Sequence, residues 1–288
     1  MDLIYRYDPF QPIAVNRPGT VEEAIQTLAA GNRRLVDLVS HMQRATLGET
    51  AEGEIVVPIS PVSLGLPFFR GAILDQQPFA MVLGCSDARV PLESIFDQSF
   101  NEMFVVRIAG NALSTECVGS FTYGVRNFKK SLKIMVVLGH TGCGALTAAV
   151  DTYLAPNEYA NIGFTHALRA LVDGVMIAVR GAAKSIERCC GRDIAKHPNY
   201  RAALLDVAVY LNAAITALDL RRELQAVSDF DLPVYYGVCD LKTLLVTPVP
   251  VSPTTTEPDL RLAPQSVAGF IELGKEMVDV LVANGTLA

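Results

Sequence analysis

Several things that this chain of 288 residues lacks narrow the classes of protein to which it can belong. It has no run of basic residues and a formal net charge of −6, which argues against nucleic acid or an anionic membrane as a partner. Its longest apolar runs, such as residues 134–138 and 175–179, are far too short to cross a bilayer. The first residues lack the charged-then-apolar pattern of a secretory signal, so we expect a cytoplasmic protein. Tryptophan is absent as well, which excludes any binding pocket that depends on an indole ring.

Charge is sparse, because only 19% of the residues are charged whereas 50% are hydrophobic. A chain of this length and composition can bury one large core, so we predict a single α/β domain over residues 1–288. Within it we expect an N-terminal arm and helix at residues 1–45 and a C-terminal strand–helix extension at residues 234–288. The apolar composition also permits a subunit interface.

Continuous apolar runs at residues 79–84, 103–108 and 134–138 predict the centre of the fold. Runs without polar alternation are typical of strands that are buried on both faces of a parallel sheet. Helical stretches at residues 91–96 and 118–128 separate them, which gives a βαβ pattern. The sequence therefore predicts an α/β fold with a parallel-centred β-sheet flanked by helices.

The outer segments are predicted from caps, apolar periodicity and proline content. Residues 1–19 indicate an irregular arm, and Thr20 with Glu23 forms a capping box that begins a helix. We further expect a surface segment at 48–77 with a short strand at 55–57, helices over 165–224 with a break at 191–198, strands at 234–239 and 244–246, a proline-rich linker at 248–258 and a terminal helix at 265–281.

Six cysteines are present, and a chain this long and apolar needs no disulfide framework for stability. Cys117 and Cys239 are expected to be buried core thiols. Cys85 and Cys143 differ, because each lies at or soon after the end of a predicted buried strand, and His140 stands three residues before Cys143. Two thiolates and an imidazole are ligands that hold zinc. We therefore predict that Cys85, His140 and Cys143 bind zinc and leave the fourth coordination position open, as in a catalytic site.

The motifs CSDAR at residues 85–89 and HTGCG at residues 140–144, with FVVRIAGN at residues 104–111 between them, closely resemble those of the beta-class carbonic anhydrases. The resemblance runs from about residue 20, through GNRR at residues 31–34, to about residue 246. It implies zinc as the cofactor and reversible hydration of carbon dioxide to bicarbonate and a proton by metal-bound hydroxide. It also implies a homodimer or higher even oligomer, with N-terminal helices that wrap the partner and a substrate cleft at the interface.

The resemblance assigns roles to further residues. Asp87 would accept a hydrogen bond from zinc-bound water, and Arg89 would keep Asp87 ionised through a two-pronged ion pair. Gln76 would donate its amide to a substrate oxygen. In some members of the family the Asp leaves the Arg and closes the zinc site, and those members are associated with a bicarbonate pocket that contains a Trp. Val82 stands at that place here, so we expect an open site with water bound. Arg107, however, matches the basic residue of that pocket.

Two other functions remain open at this point. A carbonyl sulfide or carbon disulfide hydrolase would need the same zinc and the same Asp87–Arg89 pair, and would differ in the width and lining of its channel. A non-catalytic zinc-binding assembly protein is disfavoured by the intact pair and by the open coordination position.

For a carbonic anhydrase, the charges of the ligands predict the pH dependence of the reaction. Two thiolates and a neutral imidazole cancel the charge of Zn²⁺. Such a site should acidify water less than three histidines would, so activity should rise toward alkaline pH.

Overall fold

The computed structural model describes residues 2–7, 17–49, 54–59, 71, 73, 75–159, 165–227 and 232–287. Its strands are β1 Asp2–Tyr7, β2 Glu54–Ile59, β3 Ala80–Gly84, β4 Met103–Arg107, β5 Ile134–His140, β6 Val234–Cys239, β7 Val246–Thr247 and β8 Arg261–Leu262. Its α-helices are α1 Val21–Thr46, α2 Leu92–Ile95, α3 Thr115–Asn127, α4 Gly144–Leu154, α5 His166–Cys190, α6 Tyr200–Val227 and α7 Val267–Ala283. A single 3₁₀ turn, Ala109–Asn111, lies between β4 and α3.

The predicted parallel-centred sheet is confirmed. The strands lie in the order β4-β3-β5-β6-β7, and β3 pairs in parallel with both β4 and β5, as β5 does with β6. Every residue of β3 and β5 is buried, which explains why their sequences show no polar alternation. Because β3 and β5 are neighbours and run in the same direction, their carboxyl ends bring residues 85 and 140 to the same edge of the sheet.

The helices form where the sequence signals predicted them. Thr20 caps α1 by accepting a hydrogen bond from the backbone N–H of Glu23 at 3.2 Å, and the Glu23 carboxylate accepts one from the N–H of Gly19 at 2.6 Å. The predicted helical region at 165–224 forms α5 and α6, which pack against each other. Since α6 also packs on β5 and β6, this region forms one layer of the core.

Three parts of the fold differ from the prediction. Residues 2–7, expected in an irregular arm, form β1, which pairs in parallel with β2 in a separate two-stranded sheet. The late strand expected at 244–246 is reduced to the two residues of β7, because Leu244 has a φ of 61° that interrupts extended backbone. The short strand β8 was not predicted, and it pairs antiparallel with β6.

The expected surface segment at residues 48–77 is described only in part. Its predicted short strand at 55–57 is confirmed as part of β2, whereas residues 50–53, 60–70, 72 and 74 lie outside the described residues. The proline-rich stretch at 248–258 contains neither helix nor strand, as predicted. The division of the domain into arm, core and C-terminal extension stays a prediction.

One helical stretch among the described residues, Tyr200–Ala226, is long and apolar enough to cross a membrane by length and composition alone. Of its most apolar window, 78% is buried inside the molecule. A helix at the centre of a globular core passes the same test, so the stretch is weak evidence for a membrane protein. Packing against β5, β6 and α5 accounts for its apolar residues.

Candidate metal centre

The three predicted ligands lie together at the carboxyl edge of the sheet. Cys85 directly follows β3, His140 is the last residue of β5, and Cys143 is the N-cap of α4. Their ligand atoms all lie within 4.8 Å of one another, and all three residues are buried. Gly142, with a φ of 66°, allows the tight turn that returns the chain from His140 to Cys143.

The imidazole of His140 is oriented to bind a cation. Its Nδ1 lies 3.0 Å from the backbone oxygen of Thr141, so Nδ1 carries the donated proton and Nε2 is left as an acceptor. Nε2 is buried and has no hydrogen-bond partner among the described residues. An orphaned buried acceptor beside two thiols is the arrangement that a bound metal ion would satisfy. The residues therefore fit a metal.

The two thiols of the centre form a coupled pair. The hydrogen bond with Cys143 holds the pKa of Cys85 well below its ordinary value against the opposing effect of burial, and His140 and the backbone of Asp87 and Gly110 add to the lowering. The bond with Cys85 and burial raise the pKa of Cys143, although N–H groups at the start of α4 lower it. The bond with Cys85 and burial thus outweigh the lowering effect of the helix N-terminus on the pKa of Cys143. A dication would compensate the charge of two thiolates together.

The predicted pairing of Asp87 with Arg89 is confirmed. Arg89 donates from Nε to Asp87 Oδ1 at 3.0 Å and from Nη2 to Oδ2 at 2.6 Å. Arg89 Nη2 also donates to the carbonyl of Gly142 at 3.2 Å, which ties the first motif to the second. Hydrogen bonding from Arg89 holds the pKa of Asp87 well below its ordinary value, so the carboxylate is ionised. Its Oδ2 lies 3.8 Å from His140 Nε2, beside the candidate ligands.

Arg107, which the resemblance matched to a bicarbonate pocket, contacts the backbone of the first motif. Its Nε donates to the carbonyl of Cys85 at 2.9 Å, and its Nη2 donates to the carbonyl of Asp87 at 2.6 Å. The rigid fork of a guanidinium suits two acceptors at once, so Arg107 fixes the loop that carries Cys85 and Asp87. Its charge is visible in the sequence, but its partners are backbone atoms that no motif reveals.

Asp240 is a residue at this edge that the sequence reasoning missed. It follows β6, and its Oδ1 accepts hydrogen bonds from the N–H groups of Lys242 and Thr243, each at 2.9 Å. Its Oδ2 lies 3.4 Å from the hydroxyl of Thr141, the residue after His140. Asp240 therefore holds the turn after β6 against the second motif. The position directly after an apolar run helped to identify Cys85, and the same position could have found Asp240 too.

Gln76 is not brought to the metal centre within this chain. It is exposed and precedes β3, whereas Cys85 follows that strand. The five residues of β3 span four rises of about 3.3 Å, so its two ends lie roughly 13 Å apart. A side-chain amide cannot cover that distance. The neighbouring Gln77 lies at the same end and is held there by Arg17.

Comparison with known proteins agrees with the resemblance. Residues 80–209 match a protein-family model described as carbonic anhydrase. The chain is 44% identical over 80 residues to carbonic anhydrase 2 of Mycobacterium tuberculosis, a match that covers 28% of this chain and 38% of that protein. It is 45% identical over 94 residues to the carbonic anhydrase of Mycolicibacterium smegmatis, which covers 33% and 44% respectively. The chain thus spans less than half the length of these curated relatives.

Among solved structures, the chain is similar to a beta-carbonic anhydrase of Coccomyxa in complex with acetazolamide. The TM-score is 0.45 at 25% identity, over 60% of this chain and 72% of that one. The segment that matches the family model begins with β3, contains both motifs and ends within α6. The resemblance carried by the two motifs is confirmed over residues 80–209, which match the carbonic anhydrase family model.

Proposed function

We propose that this protein is a zinc enzyme that catalyses the reversible hydration of carbon dioxide to bicarbonate and a proton. The observation that carries the proposal is the convergence of Cys85, His140 and Cys143 beside a carboxylate, Asp87, that Arg89 keeps ionised. The family match supports the same reaction, because it covers both motifs.

Cys85, His140 and Cys143 would hold the zinc ion. Two sulfurs and one imidazole nitrogen suit zinc, whereas magnesium and calcium prefer oxygen ligands. Zinc bound by three protein ligands would supply Lewis-acid activation of a water molecule.

Asp87 orients the water that reacts. Arg89 occupies both carboxylate oxygens, so the carboxylate has one fixed orientation, with Oδ2 within 3.8 Å of the orphaned His140 nitrogen. Because Arg89 holds the pKa of Asp87 far below neutral, this carboxylate accepts a hydrogen bond but does not retain the proton that hydration releases. That proton leaves to the solvent buffer.

Gln76 can serve this site only from a second copy of the chain, since it lies at the opposite end of β3. A homodimer, or a higher even oligomer built from such dimers, would bring the Gln76 of one protomer to the metal centre of the other. The amide could then donate to a substrate oxygen, as the resemblance implies.

Stopped-flow measurement of carbon dioxide hydration by the zinc-loaded protein tests the function. We expect fast hydration that grows from near-neutral to alkaline pH and collapses in Asp87→Ala. The matched control is Asp193→Ala, which removes an exposed carboxylate that pairs with Lys196, and it should keep the wild-type rate.

Absence of hydration at both pH values, with zinc bound, would refute the proposal. Turnover of carbon disulfide by the same preparation would then favour the hydrolase alternative, and no turnover of either substrate would favour an assembly protein.

A further inference from the structure

We propose that Asn212, on α6, is a positioning residue for the metal ligand Cys85 and acts through the backbone of Gly110. The inference rests on the proposed function, because the contact tunes a metal only if Cys85 binds one. Asn212 lies outside both motifs and beyond residue 209, where the matched family segment ends.

Gly110 donates a hydrogen bond directly to the candidate ligand. Its backbone nitrogen lies 3.3 Å from the sulfur of Cys85, and the contact is buried. A hydrogen bond to a metal-bound thiolate draws negative charge away from the sulfur and fixes its direction, and such outer contacts tune metal affinity. The position of the Gly110 N–H therefore affects the strength of Cys85 as a ligand.

Gly110 is not held in this conformation by its own chemistry. Its φ of 68° lies in the left-handed region, which glycine adopts freely but does not prefer over other regions. The space also requires glycine, because a Cβ would lie 2.9 Å from the Cβ of Ala145 on α4. The N–H of Asn111 closes the turn onto the carbonyl of Ile108 at 3.0 Å, which leaves the Gly110 carbonyl to be fixed by another contact.

Asn212 supplies that contact. Its Nδ2 donates to the carbonyl oxygen of Gly110 at 2.9 Å, in a buried hydrogen bond. Asn212 is only 4% exposed and stands between the buried apolar residues Leu211 and Ala213. A buried amide in such surroundings costs free energy unless its hydrogen bonds are made, so the contact with Gly110 is strongly favoured.

The helix that carries Asn212 is a suitable support for this contact. α6 packs on β5, whose last residue is the ligand His140. The same helix therefore supports the strand that presents His140 and, through Asn212, the turn that contacts Cys85. If Asn212 had a purely structural role, its replacement would lower only the stability of the protein. If it positions Cys85, its replacement also changes the metal centre in a protein that still folds.

Asn212→Leu removes the amide and keeps a similar side-chain volume. The matched control is Thr216→Val, one helical turn further along α6, where the side chain is 6% exposed. In competition with a chelator, Asn212→Leu should bind zinc about 10- to 100-fold more weakly, and Thr216→Val should stay within about twofold of wild type. In the cobalt-loaded proteins, the thiolate-to-metal charge-transfer band should move to lower energy in Asn212→Leu alone, because a sulfur without the hydrogen bond gives up electron density more readily.

A second measurement needs no variant to fold. In the wild-type protein loaded with an NMR-active cadmium isotope, we expect scalar coupling between the metal and the amide proton of Gly110 through the N–H···S hydrogen bond. Absence of this coupling, unchanged zinc affinity and cobalt spectrum in a folded Asn212→Leu, or equal changes in Thr216→Val would each overturn the inference. None of these outcomes alters carbon dioxide hydration by the wild type, whereas a wild-type protein that binds no metal would refute the proposed function itself.

Discussion

Replacement of Asp206 by Asn should stabilise the folded protein at neutral and alkaline pH. Asp206 lies on α6, and burial raises the pKa of its carboxyl from 3.8 to about 6, with Lys242 opposing the rise and Asp240 adding to it. The folded state therefore favours the protonated carboxyl. Between these two pKa values the folded chain binds more protons than the unfolded chain does, so the free energy of unfolding falls as the pH rises.

The size of the effect follows from the two pKa values. Well below pH 3.8 the carboxyl is protonated in both states, and its burial as an ion costs nothing. As the pH rises from 3.8 toward about 6, the cost grows, and above that range it reaches about 3 kcal/mol. Asn has nearly the same shape and does not ionise. Asp206→Asn should therefore raise the free energy of unfolding above that of wild type by about 3 kcal/mol at about pH 8, but by only about 1.5 kcal/mol at about pH 5.

Urea unfolding followed by circular dichroism, on both proteins at each pH, measures this difference. Since variant and wild type are compared at the same pH, the titration of other groups largely cancels. Asp193→Asn, which neutralises an exposed carboxylate, serves as the control and should change the free energy of unfolding by less than about 0.5 kcal/mol. Equal stability of Asp206→Asn and wild type at alkaline pH, or a gain that does not grow with pH, would refute the reasoning.

Two further predictions concern the packing of α1 and the subunit arrangement. Gly31→Ala should strongly lower the melting temperature, because a Cβ there would lie 1.7 Å from the carbonyl oxygen of Phe96. The control Gly174→Ala, whose Cβ would have nothing within 4 Å, should leave the melting temperature unchanged or raise it. Similar melting temperatures for the two variants would contradict this. Cys143→Ser and Gln76→Ala, each of low activity alone, should recover part of the hydration rate when their subunits are mixed, because the first chain offers its Gln76 to the intact metal site of the second. Verified subunit exchange without recovery would argue against a Gln76 that acts across copies.

The parts of the fold that could be predicted are those whose sequence pattern lies within a single strand or helix. The strands β3 and β5 are buried on both faces, so their apolar character is continuous over five and seven residues. Once those strands are parallel neighbours, their carboxyl ends converge, and Cys85 and His140 follow as a pair. By contrast, β1 is mostly exposed and β8 has only two residues, and each depends on a partner strand elsewhere in the chain. Nothing within such a segment distinguishes it from a loop.

Asn32 illustrates a second kind of feature that local patterns do not reveal. It is fully buried on α1, where its Nδ2 donates to the carbonyls of Ile95 at 3.0 Å and Leu244 at 2.9 Å, and its Oδ1 accepts from the N–H of Val246 at 2.9 Å. One amide that donates twice and accepts once thus ties α1 to α2, which follows the Cys85 loop, and to the segment that follows β6. It also helps to hold Leu244 in its left-handed conformation, which costs free energy for a residue with a side chain. Asn32 and Asn212 share this logic, because each is a buried amide on a helix whose partners are backbone atoms of distant segments. Those segments become neighbours only through the order of the strands, so the roles of both residues follow from the folded structure.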